Sequence, residues 1–258
     1  NDFMKEYELE GGTEDLHIIE DENGTYYMNY TSWNGTSDAQ CIATSTDLVH
    51  WNKHGTAFGD AYDGRYIKGS RSGVIVSRIE GERFIATKIK GKYWMYYTHN
   101  CLVATSDDLI HWTPVINADG RVIAALNADR TGYFDKGSAE AGAIALLIDK
   151  DILVMYNGHN PRPEDGGDPE FPYGWPGLGQ ALMDAENPIK VLERTDKPFI
   201  YAEYDWELQG FTPVAVVANG LVYFKGKWLL YYGAADRNIG LAVYDTSLSN
   251  QNVNHSDS

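Results

Sequence analysis

The sequence predicts an all-β fold built as a ring of repeated sheets, and three observations carry that prediction. A phrase of aromatic and long apolar residues recurs four times: residues 24–30 read GTYYMNY, 91–97 GKYWMYY, 151–156 DILVMY and 226–232 GKWLLYY. The first two copies are answered by nearly identical text, IATSTDLVHW at 42–51 and VATSDDLIHW at 103–112. Turn formers punctuate the whole length, and helix signals are nearly absent. Copies of a β unit that cannot bury both faces alone close into a ring, and a ring has a central site.

Taken in chain order, strands are expected at 16–19, 25–31 and 40–44, then at 84–89, 93–98 and 102–106. Further strands follow at 143–147, 153–157 and 179–182, and at 214–224, 228–233 and 240–244. Glu22-Asn23-Gly24, Lys90-Gly91 and Lys225-Gly226 mark the connections. Ser45-Thr46-Asp47 and Ser106-Asp107-Asp108 read as tight turns whose side chains bond nearby backbone N–H groups. His50 and His111 belong to these repeated turns and are read as structural, because a ring has one chemical site and many blades. Residues 160–176, with the text PRPEDGGDP, form a long polar loop of the kind that makes a lid, a binding loop or an insertion.

No stretch reads as a flexible linker, so residues 1–248 are taken as one domain and 249–258 as a polar, frayed tail. Lys and Arg number 21 against 37 Asp and Glu, a formal charge of −16, and that field repels nucleic acid and anionic membranes. No segment approaches the ~20 apolar residues of a membrane span. The chain starts abruptly at Asn1 in a charged segment without a signal peptide, as a processed or trimmed chain would, and sequons at Asn23, Asn29, Asn34 and Asn254 do not settle the compartment. A soluble protein is expected, cytoplasmic or periplasmic/secreted. Cys41 and Cys101 stand at equivalent places in the first two units and read as buried apolar residues rather than a disulfide. No metal site and no cofactor are implied.

Eighteen Tyr and seven Trp suit half-buried strands and surfaces that stack on sugar rings. Glycoside chemistry needs a carboxylic acid for the leaving oxygen and a second group to activate or deliver the nucleophile. Acids at strand starts, beside small residues and outside the repeated turns, are the candidates: Glu14 and Asp15 after Gly11-Gly12, Glu140 in Ser138-Ala139-Glu140-Ala141-Gly142, and Asp236 after Gly233-Ala234-Ala235. An isolated turn acid usually caps backbone donors. Asp15 and Glu140 recur at corresponding points of different units, where small neighbours let a ligand approach, and are read as functional. Glu14 and Asp236 stand between the two readings.

At these residues the chain resembles family 130 of the glycoside hydrolases, five-bladed propellers that are β-mannoside phosphorylases and β-1,2-mannosidases. The resemblance runs from Gly11 to Tyr244. It rests on Gly12-Thr13-Glu14-Asp15 with residues 26–31, on 106–112, on Ala139-Glu140-Ala141-Gly142, on Gly179-Gln180-Ala181-Leu182 with 194–199, and on Tyr231-Tyr232-Gly233-Ala234-Ala235-Asp236. It implies a five-bladed β-propeller, of which about four blades are evident here and the N-terminal blade is missing or incomplete. It implies that Asp15 is the proton donor, that Asp236 holds the sugar at the cleavage subsite, and that Glu140 is one of two glutamates tied to water activation in the hydrolases. The second glutamate would stand before Gly220, where this chain has Asn219, which cannot act as a base. Leu16 and His17 stand where the family commonly has Pro and Arg. The phosphorylases' basic motif is reduced to Lys88, and their histidine in the third aromatic strand is replaced by Asn157.

The expectation is therefore an inverting glycosidase of the hydrolase-like branch, with Asp15 and Glu140 catalytic. Glu14, His17, Trp33, Lys88, Tyr97, His99, Asn157, Trp175, Asn219 and Asp236 are the substrate-binding candidates. For His99, and for His159, an ordinary surface role stays open. The partner is an oligosaccharide or mannoside, with inorganic phosphate if the reaction is phosphorolysis. A sugar-binding propeller without catalysis is the alternative of a different class, favoured by Asn219 and His17, and the five-bladed arabinanase and xylosidase group is a further rival by fold alone.

Overall fold

A computed structural model describes residues 4–9, 11–127 and 129–247. The expected polar tail lies outside the described residues. Four antiparallel sheets follow one another along the chain. The first holds β1 (Gly12–Glu20), β2 (Tyr26–Trp33), β3 (Asp38–Ser45) and β4 (Asn52–Thr56). The second is β5 (Val74–Glu80), then β6 (Arg83–Ala86) and β7 (Tyr93–Tyr97), both paired to β5, then β8 (Leu102–Ser106) and β9 (Trp112–Pro114). In the third, β10 (Ser138–Ile148) pairs β11 (Asp151–Asn160), which pairs β12 (Gly174–Asp184), which takes β13 (Asn187–Arg194) and β14 (Ile200–Tyr201). The fourth is β15 (Val216–Phe224), β16 (Lys227–Ala234) and β17 (Asn238–Asp245). This is a β-propeller, each sheet a blade.

The first strands of the blades lie innermost. Short parallel pairings join the first blade to the second (Glu20 with Ile85) and the second to the third (Ala145 with Val76, Leu146 with Ser77). β10 shows why such a strand reads differently from the others. Nine of its eleven residues are buried, covered on both faces, so small apolar residues run on without alternation. At Gly142 a side chain would stand 3.0 Å from the Met155 carbonyl oxygen, so anything larger would push the two strands apart.

The core is distributed between blades. Ile19 and Ile42 of the first blade pack with Ile75, Met95 and Trp112 of the second. Val76, Tyr96 and Val103 meet Ala139, Val154 and Tyr156, and Leu178 meets Val216, Leu230 and Tyr232. Between the fourth blade and the first no buried cluster forms among the described residues, and Leu16, Ile18, Val222, Leu241 and Val243 remain exposed.

The repeated turns behave as their text predicts. Ser45 Oγ accepts the N–H groups of Asp47 and Leu48, and Ser106 Oγ accepts those of Asp108 and Leu109. His50 Nδ1 lies 2.8 Å from Asp47 and His111 Nδ1 2.7 Å from Asp108, both pairs open to solvent. Lys90-Gly91 and Lys225-Gly226 both hold two positive φ angles, the conformation of tight hairpin turns. Cys41 and Cys101 are buried free thiols. The sequon at Asn29 is fully buried. Five strands escaped the sequence reading, β4, β5, β9, β13 and β14, and the long loop is shorter than expected, because β12 already begins at Gly174.

Candidate active site

Three of the four inner strands carry a β-bulge at the same end of the ring. The register slips between Glu14 and His17 in β1, between Ala141 and Ala145 in β10, and between Ala218 and Gly220 in β15. A bulge re-aims side chains that regular pleating would send elsewhere. The second blade supplies the segment 69–73 that leads into β5. Together these starts wall a cavity of about 800 Å³, lined by Glu14, Asp15, Arg71, Glu140, Asn219 and Asp236 among others.

Arg71 is the centre of the charge arrangement. Its guanidinium lies 2.8 Å from Asp15, 3.2 Å from Glu140, 3.4 Å from Glu14 and 3.8 Å from Asp38. One cation thus faces four carboxyl groups, and Asp236 adds a fifth on the cavity wall. Asp15 sits in a left-handed conformation at φ 50°. Its Oδ2 accepts from Arg71, from Ser72 Oγ at 2.9 Å and from Thr31 Oγ1 at 3.3 Å, and its Oδ1 accepts from Asn219 Nδ2 at 3.1 Å. Glu140 is buried, with Ser72 Oγ 2.9 Å from its Oε1. Burial pushes its carboxyl up to about 7; Arg71 opposes that shift, and Asp15 adds to it. Glu14 is also raised, by burial first and then by the neighbouring Asp15 charge.

The segment around Arg71 is held by its backbone. The Arg71 carbonyl accepts the Thr98 N–H at 2.8 Å, the Ser72 N–H donates to Thr31 Oγ1 at 3.0 Å, and the Gly73 N–H donates to Gln40 Oε1 at 2.8 Å. A side chain at Gly73 would lie 2.7 Å from Met95 Sδ and 2.8 Å from Gln40 Oε1, so a larger residue would displace the side chains that hold this segment.

The structure brings Glu14, Asp15, His17, His99, Glu140, Trp175, Asn219 and Asp236 to the cavity wall. Within that group His17 takes a different part from the sugar contact expected of it. It is buried, and its Nε2 donates to the Gly142 carbonyl at 2.7 Å, tying the first blade to the third. His99 stacks on Trp175 with centroids 5.9 Å apart, and His159 meets Trp175 edge-on at 5.0 Å. Burial lowers the pKa of all three histidines. Asp236 accepts from Thr212 Oγ1 and is exposed.

Four candidates are corrected. Lys88 is exposed away from the cavity, over the ring of Tyr93 at 4.9 Å, so it offers no phosphate site there. Tyr97 is 2% exposed, packed on Phe58 in the core between the first two blades. Asn157 is buried and accepts the Ala218 N–H at 2.9 Å, which clamps the third blade to the fourth. Trp33, paired with Gly12 where β1 begins, is exposed at that edge of the blade and does not line the cavity. The reading missed Arg71, Ser72 and Asp38. The text Gly69-Ser70-Arg71-Ser72-Gly73 carried the same signal as the acid sites, small residues around a charge before a strand.

A propeller whose inner strands deliver a cluster of acids to one aromatic-edged cavity has the construction of a carbohydrate-active enzyme. The family model described as β-1,4-mannooligosaccharide phosphorylase matches residues 5–250, and the chain belongs to glycoside hydrolase family 130, whose members are glycosidases or phosphorylases of β-mannosides. The chain is 28% identical over 237 residues to a β-1,2-mannobiose phosphorylase of Thermoanaerobacter sp. (strain X514), covering 91% of this chain and 67% of that protein. It is 41% identical to a glycosyl hydrolase from Bacteroides ovatus of known structure, with a TM-score of 0.90, covering 96% of this chain and 69% of that one. A third structure, 39% identical with a TM-score of 0.90 and the same coverage, comes from work on family-130 glycoside hydrolases that target β-1,2 mannosidic linkages in Candida mannan.

Proposed function

We propose that this protein hydrolyses β-linked mannosides with inversion, using Asp15 and Glu140. The observation that carries the reading is the charge of the cavity. Phosphorolysis needs cations that hold a phosphate dianion beside the sugar. Among the described residues Arg71 is the one Lys or Arg side chain on the cavity wall, and four carboxyl groups already surround it. A neutral sugar and a water molecule enter such a site more readily than an anion.

In this reading Glu140 takes a proton from the attacking water, and a carboxyl pushed up to about 7 is well matched to that task near neutral pH. Asp15 supplies the proton for the leaving oxygen. Both carboxyls stand 2.9 Å from Ser72 Oγ, so their nearest oxygens are less than twice that distance apart. That is shorter than the roughly 6.5–9.5 Å usual when two acids flank a glycosidic bond and a water. The short gap favours delivery from Asp15 through a substrate hydroxyl, which lengthens the path. Asn219 Oδ1 is buried on the wall without a protein partner and can accept from the water or from a sugar hydroxyl. Trp175, with His99 stacked on it, offers an aromatic face to a sugar ring at the cavity edge.

Phosphorolysis is the second reading, favoured by the activity named for the Thermoanaerobacter relative. The test is product formation from β-1,2-mannobiose with and without inorganic phosphate. Release of mannose at a phosphate-independent rate is expected. Strict phosphate dependence overturns hydrolysis, and sugar binding without turnover under either condition marks a binding protein.

A further inference from the structure

Resting on the hydrolytic reading, we propose that Ser72 is the proton relay that resets the Asp15–Glu140 pair between turnovers. Ser72 Oγ stands 2.9 Å from Asp15 Oδ2 and 2.9 Å from Glu140 Oε1. A hydroxyl has one hydrogen and cannot donate to both. The geometry suits a carboxyl O–H that donates to the serine oxygen at one contact while the serine hydrogen goes to the other carboxylate. The pair shares one proton through Ser72, and it has two arrangements: proton on Asp15 or proton on Glu140.

Those arrangements are the beginning and the end of an inverting turnover. Chemistry starts with Asp15 protonated and Glu140 ionised. It ends with the Asp15 proton on the leaving sugar and a water proton on Glu140. The reset then breaks the Glu140 O–H bond as Ser72 Oγ takes that hydrogen. In the same step the serine O–H breaks and its hydrogen bonds to Asp15 Oδ2. One proton crosses from Glu140 to Asp15, Ser72 ends as it began, and no other reactant is consumed. Arg71 contacts the same two carboxyl oxygens, Oδ2 of Asp15 and Oε1 of Glu140, so its charge stays against the pair in both arrangements.

The position is built for this. Ser72 is 2% exposed, and the carboxyl side chains of Asp15 and Glu140 are 13% and 9% exposed, so the hydrogen-bonded path between them runs behind the cavity surface. Ser72 holds φ at 48°, a conformation that costs a serine more than a glycine, fixed by the Thr31, Thr98 and Gln40 contacts of its own segment. Backbone strain held by three anchors points the one hydroxyl at both acids.

The test is rapid-quench kinetics on a β-mannoside with Ser72→Ala and Ser72→Cys, thermal melting confirming that both fold. Cysteine fills the space with a poor hydrogen bonder and excludes a substituting water. The relay predicts a first turnover close to wild type, a burst approaching one product per site, and then a steady rate lower by about 10–100-fold. Equal slowing of first and later turnovers assigns Ser72 to chemistry or to structure and overturns the relay, as does an unchanged steady rate. A wild-type protein that releases no mannose without phosphate overturns the hydrolytic reading and the relay with it. Normal wild-type turnover with no burst in either variant overturns the relay alone.

Discussion

The outer turns and the central cavity use the same kinds of side chain to opposite ends. At the turn of the first blade His50 and Asp47 pair in open solvent. The histidine hydrogen bond holds the Asp47 carboxyl well below the usual range, and the aspartate raises His50. In the cavity, burial raises Glu140 to about 7 and lowers His17 and His99. Exposed pairs settle into their charged forms, because each partner is satisfied locally and water solvates the rest. Buried groups resist charge, and one Arg71 must serve four acids. Repetition and chemistry are thus separated in space: copies agree at the turns and diverge where the inner strands meet.

Four substitutions would break or sharpen that contrast, in falling order of effect. Asp15→Asn removes the proton donor at nearly unchanged volume, and should lower turnover of a β-mannoside by about 10³–10⁴-fold in a protein that thermal melting shows to be folded. Intact turnover would remove Asp15 from the acid role. Arg71→Met leaves the acids of the cavity facing one another, and a loss of about 3 kcal/mol at pH 8 is expected by denaturant unfolding. That loss should shrink as the pH falls and the carboxyls take up protons. A loss independent of pH would show that the arginine acts by packing alone.

Glu140→Gln sets the sign of the burial effect. A folded value raised from the ordinary 4.5 to about 7 means that the native state holds a proton the unfolded chain has released. Wild-type stability should therefore fall as pH rises from about 4.5 through about 7, and the penalty is fully present above that window. The variant should melt higher than wild type at pH 8, by about 1–3 kcal/mol, and match it at pH 4. A variant less stable at pH 8 would mean that the Arg71 contact outweighs burial. His50→Ala, at an exposed pair, should change stability by less than about 0.5 kcal/mol and leave turnover as it was. A larger change would show that the outer turns do more than close the blade.

The blades were legible because aromatic strands, Gly-containing hairpins and the Ser-x-Asp-Leu-x-His-Trp turns are local signals. Cys41, Cys101, His50 and His111 sit where local text placed them. Much of the acid cluster was legible too, since Asp15, Glu140 and Asp236 each stand beside small residues in text that is not repeated. β5 was not. Its apolar run, Val74-Ile75-Val76, is three residues long before Ser77 and Arg78 break it, and with that strand went Arg71 and Ser72, which lead into it. Tyr97 and Asn157 failed for another reason. Position along a strand does not reveal which neighbouring blade will cover a face, and both side chains are buried against one. The Ser72 contacts were beyond sequence reasoning altogether, because they join residues 57 and 68 positions apart.

On the hydrolytic proposal, water directed by the Asp15–Glu140 pair accepts the β-mannosyl group. Proton NMR of the first mannose released from p-nitrophenyl β-mannoside, whose leaving group is not a sugar, in buffer containing phosphate, tests it most directly. Inverting hydrolysis should give α-mannose at the earliest time points, equilibrating later to the anomeric mixture. Mannose 1-phosphate, or β-mannose appearing first, would contradict it.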